Sequence, residues 1–311
     1  MTVDLGVSVG SLAWPTPVGL ASGTCGWGEE LDGLVDWSAV GAIFTKGLSL
    51  APRQGHPPPR IWETPSGMLN AIGLENPGFD VFVRDKMPFL RRFRDMHGGK
   101  VIVNLFGTTP DEYRELAEKL DTVPGVDGVE INLSCPNVKA GGIEFGRSAV
   151  GCELVTRAVR QVTKKFVAVK ISPVSPIEDV VKASEAAGAE AISTGNTVPA
   201  MAIDVDHRVP RIWAGVGGMS GPALRPIAVR LTYEARKHTS LPLIGVGGIA
   251  AGEHAAEFLL AGASAVQVGT ALFANPDAAG VVRDGLVRYL QRQNETAVRD
   301  IIGSLDVGGR P

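Results

Sequence analysis

The fold class this sequence predicts is a (β/α)8 TIM barrel, and three observations carry the prediction. Short apolar runs alternate with longer amphipathic runs; eight such pairs fit within the 311 residues; two long loops follow what would be the C-terminal ends of strands. Strands apolar nearly throughout belong to parallel sheets covered on both faces. Repeated strand–helix alternation over about 300 residues is the pattern of a closed barrel. An open doubly wound sheet has the same alternation, because periodicity does not report closure.

The strand-like runs, in order, are Pro17 to Ala21, Ala42 to Lys46, Val101 to Phe106, Gly128 to Ser134, Phe166 to Ser172, Ala189 to Thr194, Leu241 to Val246 and Ala263 to Gly269. The helix-like runs are Glu29 to Val40, Phe79 to Met96, Pro110 to Leu120, Ser148 to Lys164, Pro176 to Ala187, Pro222 to Lys237, Gly252 to Ala261 and Pro276 to Arg292. The third of these opens Thr109-Pro110-Asp111-Glu112, a capping residue followed by Pro in the first turn. The two insertions are Ser49 to Gly78 and Val198 to Gly221. Loops of that length in a compact domain are usually functional or disordered, and Trp62, Met68, Leu69, Ile72 and Trp213 argue against disorder. No repeat of fixed period and no linker interrupts the chain, so one domain over residues 1–311 is expected.

Composition excludes several function classes. Net charge is −3 with the two signs interspersed, so neither a basic nucleic-acid surface nor an acidic tail is expected. Three widely spaced cysteines, Cys25, Cys135 and Cys152, are no disulfide framework, and with no CxxC pair neither an iron–sulfur cluster nor a structural zinc is expected on this chain. His56, His97, His207, His238 and His254 show no metal-ligand spacing. The first 17 residues carry no signal-peptide pattern, and no apolar run reaches about 18 residues. A cytoplasmic protein without a membrane span is the expectation.

Four strand ends carry chemistry. Asn132-Leu133-Ser134-Cys135-Pro136-Asn137 ends the fourth strand and would present a thiol at the barrel mouth. The competing reading of Cys135 is a small buried apolar residue, as is taken for Cys25 and Cys152. Lys170, in Val169-Lys170-Ile171-Ser172, ends the fifth strand. A buried ammonium is costly unless paired, so an anionic partner is expected there; the competing reading is a Schiff-base lysine. Gly247-Gly248 and Gly269-Thr270 end the seventh and eighth strands, where barrels bind phosphate through backbone N–H groups. Neither pair is a GxGxxG fingerprint, so a mononucleotide is expected rather than a dinucleotide.

These motifs continue with Ala21-Ser22-Gly23-Thr24, Thr45-Lys46-Gly47, Ser66 through Gly78, Val138-Lys139-Ala140-Gly141-Gly142 and Gly217 through Pro222. In this order, over nearly the whole chain, they resemble class 1 dihydroorotate dehydrogenases. Cys135, where class 2 enzymes carry Ser, is similar to class 1. The resemblance implies oxidation of dihydroorotate to orotate in pyrimidine biosynthesis, with Cys135 taking the C5 proton and FMN taking the C6 hydride. It implies a substrate shell of Lys46, Asn70, Asn132, Asn196 and Thr197 with the backbone of Ala71, Ile72, Gly73 and Leu74. It implies FMN contacts from Ser22, Lys46, Gly47, Asn104, Asn132, Lys170, Gly195, Gly221, Gly247, Gly248, Gly269 and Thr270. Asparagine suits a cyclic ureide because its amide donates and accepts at once.

The run Pro52 to Ser66 resembles class 1B, whose chains pair with a second subunit carrying FAD and a [2Fe–2S] cluster and pass electrons to NAD+. A homodimer core within a heterotetramer is then implied. Gly195 departs from that pattern, standing where such chains carry a bulkier apolar residue. Other readings are a fumarate-reducing class 1A enzyme, a dihydropyrimidine dehydrogenase-like reductase, and a non-catalytic flavin electron-relay module.

Overall fold

Eight parallel strands close into a barrel in chain order: β1 (Val18–Leu20), β2 (Ala42–Phe44), β3 (Lys100–Leu105), β4 (Gly128–Asn132), β5 (Phe166–Ile171), β6 (Ala191–Thr194), β7 (Leu243–Val246) and β8 (Ala265–Val268). The structure is a computed structural model and describes residues 2–133 and 145–308. Val266 of β8 pairs with Val18 of β1, the closure that rules out an open sheet. Each strand coincides with a predicted run to within a residue or two at either end.

Helices Met87–His97, Pro110–Asp121, Ala149–Arg160, Ile177–Ala186, Arg225–Arg236, Gly252–Leu260 and Ala278–Arg292 surround the barrel. The Thr109 hydroxyl accepts from the Glu112 N–H at 3.2 Å, the cap predicted from sequence, and Ser148 caps the next helix at Gly151. One expectation fails. Glu29 to Val40 is not a helix but two single 3-10 turns, Glu29–Leu31 and Trp37–Ala39. Gly33 between them has φ +80°, outside helical space, and Asp36 turns its carboxylate onto the Ser38 N–H. The Phe79 to Met96 run is helical but widens to a π-helical stretch over Phe82–Lys86. That stretch ends just before Pro88, which has no N–H to continue the i to i−4 ladder.

One apolar layer lies between strands and helices, built on Val18, Leu20, Ile43, Val101, Val103, Val129 and Val167. Side chains of alternate parity fill the barrel. There Phe44, Ile102, Phe166, Ala168, Ala191 and Ile244 meet an N-terminal hairpin, Val7–Val9 with Leu12–Trp14. Trp14 meets Phe44 edge-on at 5.9 Å, so the hairpin covers the N-terminal ends of the strands. Asp4 joins the far end of the chain, its N–H donating to Thr296 O and its carbonyl accepting from Val298.

The two insertions fold together at the opposite rim. Strands Val198–Ala200, Gly217–Ser220, Gly67–Asn70 and Ile61–Thr64 form one antiparallel sheet in that order. The insertions after the second and sixth strands are thereby fixed to each other by ladder bonds, with Gly218 opposite Asn70. Among the described residues no helix is long and apolar enough to cross a membrane.

Candidate functional site at the barrel mouth

Inward parity puts a polar layer above the apolar one. Asn104 (β3), Glu130 (β4), Lys170 (β5), Ser193 (β6) and Gln267 (β8) are all buried, Glu130 at 0% and Lys170 at 5% exposure. Glu130 is the hub. Its Oε2 accepts from Asn104 Nδ2 at 2.6 Å and lies 3.8 Å from the Lys170 ammonium. Its Oε1 accepts from the Ser193 hydroxyl at 2.6 Å and from Gln267 Nε2 at 3.2 Å. The anionic partner expected for Lys170 is thus Glu130, which the sequence reading did not single out.

The carboxylate is nevertheless satisfied chiefly by neutral donors, which leaves the lysine loosely engaged. Two acceptors in the layer have no partner: Asn104 Oδ1 and Gln267 Oε1 are buried and unbonded among the described residues. Unpaired buried polar atoms are uncommon, and here they point to a group that supplies donors.

The loop after β2 approaches this layer. A Cβ on Gly47 would lie 3.3 Å from Asn104 Oδ1 and 3.6 Å from Leu74 Cδ2, so Gly47, Asn104 and Leu74 surround one space. Lys46, half-buried, lines an adjoining cleft of about 420 Å³ with Trp27, Arg53, Glu75 and Asn76. Within the predicted segment Ala71 to Leu74, Ala71 donates to Arg60 O, Ile72 O accepts from His56, and Gly73 packs on His56. Leu74 has φ +58°, a conformation that costs a branched side chain energy.

The sheet over the rim gathers another group. Asn70 Nδ2 donates to Gly218 O at 3.3 Å, and Gly218 lies against the Thr197 hydroxyl, which a Cβ there would meet at 2.0 Å. Asn196 Oδ1 accepts from the Thr197 N–H at 2.8 Å. Asn132 pairs in register with Lys170, and its carbonyl accepts from the buried Tyr113 hydroxyl. Gly195 has φ +146°, and a Cβ there would be 2.1 Å from Val246 O, so the close approach of β6 to β7 explains glycine at this position.

The glycines at the last two strand ends also converge. A Cβ on Gly248 would sit 2.9 Å from Gly221 O and from the Arg225 N–H that begins a helix, while one on Gly247 would meet Ala228. Gly269 faces Ala21 and Thr24, which brackets Ser22, and Thr270 precedes the short helix Ala271–Ala274. Gly248, Ile249 and Thr270 N–H groups donate to no protein acceptor among the described residues. Cys135 and the segment Val138 to Gly142 lie outside the described residues.

The other two thiols have no exposed chemistry. Burial pushes Cys25 up to about 12 and Cys152 up to about 11. Cys25 Sγ contacts Phe44 O at 3.2 Å, and Cys152 Sγ meets Ser184 Oγ at 3.0 Å. Glu130, Ser193 and Gln267 each interrupt a largely apolar strand at inward parity, with Asn132 and Thr194 the other polar residues of β4 and β6, and that interruption is the sequence signal for them.

Comparison with known proteins gives one consistent result. The profile of the family described as dihydroorotate dehydrogenase matches residues 4–290. The chain is 50% identical over 305 residues to "Dihydroorotate dehydrogenase B (NAD(+)), catalytic subunit" of Geobacter sulfurreducens, covering 98% of this chain and 99% of that one. It is 48% identical over 307 residues to the protein of the same name from Trichlorobacter lovleyi, covering 98% and 100%. Among solved structures, that of DHODH in complex with ferulenol from Eimeria tenella superposes with a TM-score of 0.79 at 23% identity, over 97% of this chain and 88% of that one, a likeness of fold. A profile spanning almost the whole chain, together with relatives half identical from end to end, places this chain in the dihydroorotate dehydrogenase family.

Proposed function

We propose that this chain oxidises dihydroorotate to orotate in pyrimidine biosynthesis and is the catalytic subunit of an NAD+-dependent enzyme. The observation that carries the reading is end-to-end likeness to catalytic subunits of that name, on a barrel whose mouth holds a loosely paired buried lysine among unpartnered amide oxygens.

A flavin mononucleotide fits these residues. Lys170, Asn104 and Gly47 suit the polar edge of its ring, with Lys46, Asn132 and Gly195 beside them. Gly221, Gly247, Gly248, Gly269 and Thr270 suit its phosphate, because their backbone can approach an anion closely, and Ser22 lies by the same turn. When bound, the flavin supplies the two-electron acceptor for the substrate.

Around it the chain binds, orients and deprotonates. Asn70, Asn132, Asn196 and Thr197 match the ureide with paired donors and acceptors, and the backbone of Ala71 to Leu74 completes that shell. Lys46 offers its charge to the carboxylate of the substrate. Cys135 takes the proton from C5; a free thiol titrates at about 8.5, and in general a neighbouring positive charge lowers a thiol toward neutrality. General-base catalysis of this kind contributes roughly 10²–10⁴-fold. Electrons leave through a second subunit bearing FAD and a [2Fe–2S] cluster, in a cytoplasmic assembly built on a homodimer of this chain.

Anaerobic mixing with dihydroorotate tests the reading. The flavin of the purified protein bleaches, and Cys135→Ser keeps its flavin but is reduced at least tenfold more slowly at neutral pH. A flavin that dihydroorotate leaves oxidised would overturn the function; an unslowed Cys135→Ser would remove the base. NAD+ against fumarate, with and without the second subunit, identifies the acceptor.

A further inference from the structure

We propose that Glu130 is a positioning residue for the flavin pocket: it turns the Asn104 amide so that its oxygen faces the pocket, and it supplies the counter-charge of Lys170. The proposal rests on the flavin-binding part of the proposed function.

An ionised carboxylate only accepts hydrogen bonds. Asn104 approaches Glu130 Oε2 at 2.6 Å, so it must present Nδ2, and its Oδ1 is turned away. The same logic fixes Gln267, whose Nε2 faces Glu130 Oε1 at 3.2 Å. The two oxygens so displaced are the two unbonded acceptors of the layer. Asn104 Oδ1 comes to rest 3.3 Å from where Gly47 would carry a side chain, in the space that glycine leaves open. A single buried acid therefore sets the hydrogen-bonding polarity of the pocket wall, which accepts and does not donate at that point.

Charge gives the second half. Glu130 is fully buried and Lys170 nearly so, and they lie 3.8 Å apart. The bonds of 2.6 Å go to Asn104 and Ser193, which carry no charge. The ammonium is compensated across a gap, not consumed by a tight ion pair, and keeps donors for a ligand. A flavin gains negative charge on reduction, so its potential reads the sum of these two charges. Removing the carboxylate leaves a bare cation and favours the reduced form.

The test is the midpoint potential of the bound flavin in the holoenzyme, read against dye couples without dihydroorotate. Glu130→Gln should bind reduced over oxidised flavin at least tenfold better than the parent, a rise of about 30 mV for a two-electron couple. Glu130→Asp, which keeps the charge, and Ser193→Ala, which removes a donor but no charge, should stay near the parent value. An unmoved Glu130→Gln potential overturns the proposal, as does an equal shift in Ser193→Ala. If Glu130→Gln retains no flavin, Glu130→Asp decides: flavin retained at the parent potential supports the role of charge, and flavin lost leaves only a packing role. Because no substrate enters the measurement, a parent protein that holds flavin but ignores dihydroorotate would refute the proposed function and leave this inference decidable.

Discussion

Truncating Lys170 to alanine strands a carboxylate in the barrel interior. Unit charges 3.8 Å apart attract by about 4 kcal/mol at an effective dielectric of about 20. Removing one partner of a buried pair typically costs about 3–5 kcal/mol, because the remaining charge stays desolvated. Here Asn104, Ser193 and Gln267 still bond to Glu130, so the lower figure applies, about 3 kcal/mol. Urea unfolding followed by tryptophan fluorescence measures it, on flavin-depleted protein so that ligand linkage does not contribute. Adding Glu130→Gln to Lys170→Ala removes the stranded charge, and the double variant should recover about 1–2 kcal/mol of the loss. A Lys170→Ala protein with the parent midpoint, or single effects that simply add, would refute the charge pairing.

Further outcomes follow from the same geometry. Gly47→Ala puts a methyl 3.3 Å from Asn104 Oδ1, a distance the fold tolerates, so stability should change by less than about 1 kcal/mol while flavin content after purification falls at least tenfold. Gly252→Ala would place Cβ 2.0 Å from the Gly285 backbone, where two helices cross; about 2–3 kcal/mol of overpacking should lower Tm by about 3–5 °C in a melt. In a Cys135→Ser background, native protein at pH 8 should yield no thiol to a chromogenic disulfide, and unfolded protein two. Burial raises Cys25 to about 12 and Cys152 to about 11, against about 8.5 unfolded. Their contribution to stability is therefore complete below pH 8.5 and lost as pH climbs toward those values; stoichiometric native labelling at pH 8 would contradict the burial.

The barrel was legible because parallel strands sheathed on both faces leave almost uninterrupted apolar runs, and all eight were marked. Glu29 to Val40 misled because its apolar spacing is helical while Gly33 and Asp36 oppose the helix locally. The sheet over the rim was read as loop. Its strands are only three or four residues long, and Gly217-Gly218 has no side-chain alternation to read. At the site, Lys170 announced its need for an anion, but which carboxylate answers depends on barrel stagger. Register places Asn104 beside Glu130 and Ser193 beside Lys170, and no local pattern contains that information. Gly195 is a similar case: the glycine is visible in sequence, and its reason, the Val246 carbonyl, is not.

The hairpin Val7–Val9 with Leu12–Trp14 acts as a stopper, wedging Trp14 beneath Phe44 and tying itself to the chain's last turns through Asp4. With its base corked, the barrel is left to receive visitors at the rim, where the described residues gather the polar layer and both insertions, so whatever lingers there stands in the way of the next.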